Sequence, residues 1–181
     1  ADLPGWVLVK SIFWELALIS VTGGFFAFLI IPSIFPDLSI IFVLLFFIPA
    51  IFILVFCVWH LVDVFVVKAF AFHFLFLTTS GLIFVGSLVI AGGHVTFNIE
   101  TLIFYGASYV TAWLAGLLTP GAPAGIGVRE VVVLFLLGAE FAEADLLSAV
   151  IINRLITIAG DAVFFAWSSF NNRKETTDVP A

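Results

Sequence analysis

The sequence predicts an all-α, polytopic transmembrane helix bundle of about six segments, one of them short or broken at a Pro/Gly-rich motif. Three observations carry that expectation. Apolar residues make up 64% of the 181 positions and charged ones only 10%, where a soluble domain has about 45–50% and about 25%. The apolar residues also gather in runs near the ~20 residues that cross a hydrocarbon core of about 30 Å. Finally, between the last two long runs the chain breaks at TPGAPAGIGVRE, residues 119–130, which holds two prolines, three glycines and an Arg–Glu pair.

The segments follow in order. The first spans residues 11–31, with Glu15 near its start, and ends in the proline-marked loop IPSIFPDLS. The second, residues 38–59, is uncharged and holds Pro49 near its middle, where a membrane helix tolerates a kink. The third covers residues 70–91 and closes on GGHVTFNIE. The fourth runs from Ile99 to Leu118. After the break comes a short apolar piece, residues 127–138, then the acidic loop AEFAEAD, then a last span over residues 146–170. Residues 1–170 thus read as one transmembrane domain and NNRKETTDVPA, residues 171–181, as a polar, disordered cytoplasmic tail. The chain begins at Ala1 and contains no methionine, which suggests a processed chain or a fragment with upstream spans missing.

Cytoplasmic loops are enriched in Lys and Arg. Arg173 and Lys174 therefore put the C-terminus inside. If the short piece crosses, there are six spans, and Lys10, Lys68 and the loop before Arg129 also fall inside. Asp37, Glu140, Glu143 and Asp145 then fall outside. If the short piece only dips in and returns, the sidedness of everything before it reverses. Trp6, Trp14, Trp59 and Trp167 lie near segment ends, where interfacial aromatics anchor helices.

Lipid offers a broken backbone no hydrogen bonds, so irregular chain at membrane depth needs protein or a wet cavity around it. Pro120 and Pro123 interrupt the helical ladder, while Gly121, Gly125 and Gly127 permit turns and close approach. From Gly127 a restarted helix rises only about 20 Å. It is either a half-helix or a span whose first part is not helical. Its start presents unpaired N–H groups and the positive end of the dipole, a setting that attracts anions. Arg129 adds a full positive charge in the first turn, and Glu130 sits where negative charge favours the helix. In the last span Asn153, Arg154 and Asp161 interrupt apolar sequence. A charge at mid-membrane costs about 2.5–3.5 kcal/mol, so these residues are expected to find partners on other helices. We expect Arg154 to meet Glu130 or a ligand anion, and Asp161 to meet Arg129. The bland alternatives are an ordinary helix start after a cytoplasmic loop, and an ion-pair network that only glues helices together. Ser108, Ala112 and Gly116 form a small-residue face suited to close packing, and Tyr105 and Tyr109 stand near it to line a polar cavity.

Other chemistry is thinly represented. The six basic residues are scattered, which argues against nucleic acid. Cys57 is the only cysteine and sits in an apolar run. His60 and Asp63 have helical i, i+3 spacing, but two ligands do not make a site, and no metal or cofactor is expected. There is no nucleophile–base pattern, P-loop or dinucleotide fingerprint. An embedded enzyme using Glu130 or Asp161 as a base therefore lacks a nucleophile.

The stretch PGAPAGIGVREVVVLFLLG is similar to the proline–glycine motif of the lysylphosphatidylglycerol synthase transmembrane-region family, also called the flippase-like or uncharacterised 0104 family. FYGASYVTAWLAGLL before it and AVIINRLITIAGDAVFF after it extend the likeness over residues 97–170. The resemblance implies a polytopic inner-membrane protein, and the basic-residue pattern over six crossings puts both termini of this chain in the cytoplasm. Members are linked to moving aminoacylated phospholipid between leaflets, or to envelope lipid and glycan pathways. By position it carries Pro120, Gly121, Pro123, Gly125, Gly127, Arg129, Glu130 and Arg154 into a substrate site, to which Asp161 is added from the span's own charge pattern. Ala124 stands where a second glycine is common, and the likeness implies that a complete member is longer. The soluble aminoacyl-transferase domain of full synthases is missing from this chain, so synthase activity does not follow. The expected partners are membrane lipids bearing phosphate. The alternative is a non-transporting subunit that supports a lipid-linked glycosyl- or acyl-transferase.

Overall fold

The computed structural model describes residues 5–35, 64–121 and 123–177. Over these residues the regular structure is helical: α1 (Gly5–Leu29), the short α2 (Ile31–Ile34), α3 (Val64–Ile90), α4 (Ile99–Leu118), α5 (Val128–Leu137) and α6 (Glu143–Thr177), with a single 3-10 turn at Pro123–Gly125. Four stretches are long and apolar enough to cross a membrane: Gly5–Ile34, Val67–Ile90, Ile99–Leu118 and Glu143–Phe170. The chain is therefore an all-helical, membrane-embedded protein. The expected second span with Cys57, and His60 and Asp63 just after it, lie outside the described residues. The count of six thus rests on four described spans, that segment, and α5.

α5 has only 10 residues and rises about 15 Å, half a hydrocarbon core, so it cannot cross as helix alone. α4 stays helical to Leu118, because nothing in IETLIFYGASYVTAWLAGLL breaks the ladder before Pro120. The break therefore follows a complete span rather than dividing one. At the other end of α4, Asn98 caps the helix, its side-chain oxygen accepting from the Thr101 N–H at 2.7 Å. α6 continues through Thr177, into the tail expected to be disordered.

Close contacts fix the helix directions. The short turn after α3 returns the chain along α4, and their backbones meet at two glycines: a Cβ on Gly81 would lie 3.1 Å from the Gly106 carbonyl oxygen. α5 runs antiparallel to α4, since Arg129 meets Trp113 and Gly116 while Glu140 just past its end meets Tyr105. α6 runs antiparallel to α3, with Asp145 near Gly92 and Asn153 bonded to Ser80. Gly23 packs on Leu114, and Phe26 and Ile30 on Ala107 and Val110, so α1 is antiparallel to α4. The start of α1 and the end of α6 consequently share one end of the bundle with Lys68 and the break. The acidic loop lies at the opposite end, beside the α3–α4 turn.

The core forms where α3, α4, α5 and α6 converge. Phe84, Leu88, Tyr109, Val133, Leu137, Leu146 and Val150 are buried there, with the Phe84 and Tyr109 rings stacked at 4.6 Å. Beyond Arg154, α6 exposes Leu155, Ile158, Val163, Phe164 and Phe165, an apolar surface matched to lipid tails.

Candidate functional site

The polar residues of the bundle gather on the inner side of α3, α4, α5 and α6. Tyr109 stands near the middle of α4, about 15 Å from its start, and Arg154 about 17 Å along α6. Asn153 is fully buried and its amide donates to the Ser80 carbonyl oxygen at 3.4 Å. That bond ties the polar patch of α6 to TTSG, residues 78–81 of α3.

The end of the broken segment delivers the remaining groups. Thr119, Pro120, Gly121 and Pro123 are exposed, at the end of the bundle rather than at its mid-depth. Gly125 turns the chain inward. It is buried, has φ +69°, and lies so close to α4 that a Cβ on it would sit 2.8 Å from the Gly116 Cα and 2.9 Å from Arg129 Nε. Glycine is required on both sides: a Cβ on Gly116 would lie 2.9 Å from Arg129 Cγ. The Arg129 side chain is thus laid across a glycine gap, and its guanidinium carbon lies 5.6 Å from the centre of the Trp113 ring. That is within cation–π range. Arg129 also faces the Tyr109 hydroxyl, which itself neighbours Ser80, and it lies within Coulombic reach of Arg154.

Glu130 occupies the third position of α5. One carboxylate oxygen accepts from the Gly127 N–H at 2.8 Å, closing the helix start. The other lies 3.4 Å from Arg154 Nη2. The expected meeting of Arg154 and Glu130 is therefore present. Its geometry is that of neighbouring charges rather than of a hydrogen bond, because among the described residues Arg154 Nε and Nη2 are both buried without a hydrogen-bond partner. Arg129 Nε, Asn153 Oδ1 and Ser108 Oγ are likewise buried and unpartnered. Such groups each cost about 1–3 kcal/mol, more when charged. The site thus holds donors and acceptors that the described residues leave without partners.

The expected pairing of Asp161 with Arg129 is not formed. Asp161 is exposed and lies seven residues, about 10 Å, further along α6 than Arg154, and Arg129 turns to Trp113 instead. Gly121, Pro120 and Pro123 shape the entry to the turn without touching the arginines. Trp113 and Ser80 were not foreseen. The available signal was a tryptophan well inside a span, where interfacial anchoring cannot explain it, and the run of hydroxyls at residues 78–80. The small face of α4 does pack closely, and its Gly116 meets the broken segment itself. At the far end of α5, Tyr105 donates to Glu140 at 2.6 Å.

Searches of family models, of curated proteins and of solved structures find no match for the chain.

Proposed function

We propose that this chain is a flippase-like membrane protein that binds a phosphate-bearing lipid headgroup and moves it between leaflets of the plasma (inner) membrane, with the Lys68 end of the bundle facing the cytoplasm. The observation that carries the reading is the convergence of Arg129 from α5 and Arg154 from α6 beside a single carboxylate, Glu130. Two positive charges face one negative charge, and among the described residues buried guanidinium nitrogens of both arginines have no hydrogen-bond partner. Inserting each arginine at depth costs about 2.5–3.5 kcal/mol, and a glue of helices alone would be expected to leave its donors satisfied. Phosphate oxygens match a guanidinium fork and accept two parallel bonds from it. The first-turn N–H groups of α5 add further donors and a favourable dipole. The likeness of residues 97–170 to the flippase-like family points to the same substrate class.

Reconstitution tests the reading. The full chain is placed in vesicles with a headgroup-proximal fluorescent phosphatidylglycerol, and the fraction reached by a membrane-impermeant quencher is followed in time. Wild type is expected to expose the inner-leaflet pool, and Arg129→Ala or Glu130→Ala to abolish that exposure at equal protein levels. Exposure unchanged by either substitution would reject transport through this site. Absence of movement in wild type, with co-purification of a transferase, would favour the supporting-subunit alternative.

A further inference from the structure

Glu130 has a neighbour at each of its oxygens, but among the described residues only one of them is hydrogen-bonded. One is held by the Gly127 N–H of its own helix start at 2.8 Å, and the other reaches across to Arg154 of α6 at 3.4 Å. Two charged groups face it, Arg154 on α6 and Arg129 on its own helix, and Tyr109 on α4 faces the arginines in turn. A pair serving only to fasten α5 to α6 would be drawn into hydrogen-bond geometry. This one leaves Arg154 Nε and Nη2 without a hydrogen-bond partner among the described residues, so the carboxylate holds the position of a counter-anion without filling the guanidinium's bonding capacity.

We propose that Glu130 is a tethered competitor for the ligand anion: in the empty site its carboxylate stands against Arg154, and an arriving phosphate group must displace it, so that Glu130 weakens retention and promotes release. This rests on the anion-site reading above. A ligand's apparent affinity falls by the fraction of sites competent to receive it, and Glu130 sets that fraction. A transporter gains from such a device, because a site that held its ligand without opposition would load and not unload. Glu130 and the Gly127 N–H that holds it both belong to the start of α5, so the competitor stays at the site through every cycle.

The test is direct binding. The full-length chain in mixed micelles is titrated with phosphatidylglycerol, with wild type, Glu130→Gln, Arg129→Gln, Arg154→Gln and the Glu130→Gln/Arg154→Gln double variant compared. Gln keeps an oxygen to accept the Gly127 N–H, so the helix start survives while the charge is lost. Glu130→Gln is expected to bind about fivefold tighter, the scale of a partly exposed ion pair, and to dissociate more slowly. In the Arg154→Gln background the same change is expected to give no gain. Glu130→Asp, which retains the charge but withdraws it by one methylene, is expected to give a smaller gain of the same sign and provides a second route should the Gln variant fold poorly. Equal or weaker binding by Glu130→Gln, with binding still dependent on both arginines, would overturn the tethered-competitor role alone. Binding indifferent to Arg129→Gln and Arg154→Gln would overturn the anion site itself and this role with it.

Discussion

Alanine at Gly125 is the sharpest probe of how the broken segment reaches the arginines. Two separate costs arise there. The residue has φ +69°, and an L side chain in left-handed backbone costs about 1–2 kcal/mol. The added Cβ would also stand 2.8 Å from the Gly116 Cα. That neighbour is helix backbone, which cannot rotate away as a side chain would, and overpacking of this kind costs about 1–3 kcal/mol. Gly121 supplies the control, since it has φ +87° but nothing within 4 Å of its would-be Cβ, so alanine there carries the first cost alone. The difference between the two variants, about 1–3 kcal/mol, isolates the contact between the turn and α4. Reversible unfolding by SDS in mixed micelles, followed by tryptophan fluorescence, would read it as a shift of about fivefold to about a hundredfold in the unfolding constant. Gly125→Ala should also disturb Arg129, whose Nε lies 2.9 Å from the same Cβ position, and so weaken phosphatidylglycerol binding where Gly121→Ala does not. Equal destabilisation by the two alanines would refute the reasoning, because it would mean that the segment does not rest on α4.

Three further outcomes follow from the same geometry. Trp113→Leu is expected to lose the face under Arg129, worth about 0.5–2 kcal/mol, and to weaken binding of an anionic lipid, whereas Trp113→Phe keeps a ring face and most of the affinity; titration of the two variants checks this. Asn153→Leu removes a buried amide whose Oδ1 has no partner, so thermal unfolding should show equal or raised stability, since apolar replacement of an imperfectly paired polar group is close to neutral, while lipid affinity falls. Tyr105→Phe removes the 2.6 Å bond to Glu140 at a cost of about 1.5–3 kcal/mol for a bond to a charged group, visible in SDS unfolding, and leaves lipid binding intact because that bond lies at the end of α5 away from the arginines.

Hydropathy was enough to read the described spans, since runs such as residues 99–118 have no competing explanation at this composition. The shortness of the piece after the break was also legible, because Pro123 and Gly127 bound it on one side and Gly138 on the other. What the pattern could not convey was which groups face one another. Seven-residue spacing placed Arg154 and Asp161 on one face of a helix, but whether a partner extends far enough to meet both depends on the length and depth of the neighbour. α5 begins level with Arg154, and Asp161 lies past it. Trp113 looks in sequence like any aromatic in an apolar run, and only the approach of Gly125 to Gly116 brings Arg129 over its ring. The prolines suggested a gap at mid-depth. Helix formation up to Leu118 moves the irregular stretch to the end of the span, and the chain returns to the bundle at Gly125 and along α5.

The chain contains three arginines, Arg129, Arg154 and Arg173, which makes the central claim directly measurable. With ¹⁵N-arginine incorporated and Arg173→Lys introduced to remove the tail signal, dipolar recoupling between guanidinium nitrogen and lipid phosphorus in phosphatidylglycerol bilayers reports which side chain touches a phosphate. The account predicts contact at both Arg129 and Arg154, the latter about 17 Å along its helix and so beyond the reach of an ordinary headgroup layer. Phosphorus contact at neither arginine, or at Arg129 alone with Arg154 silent, would contradict it.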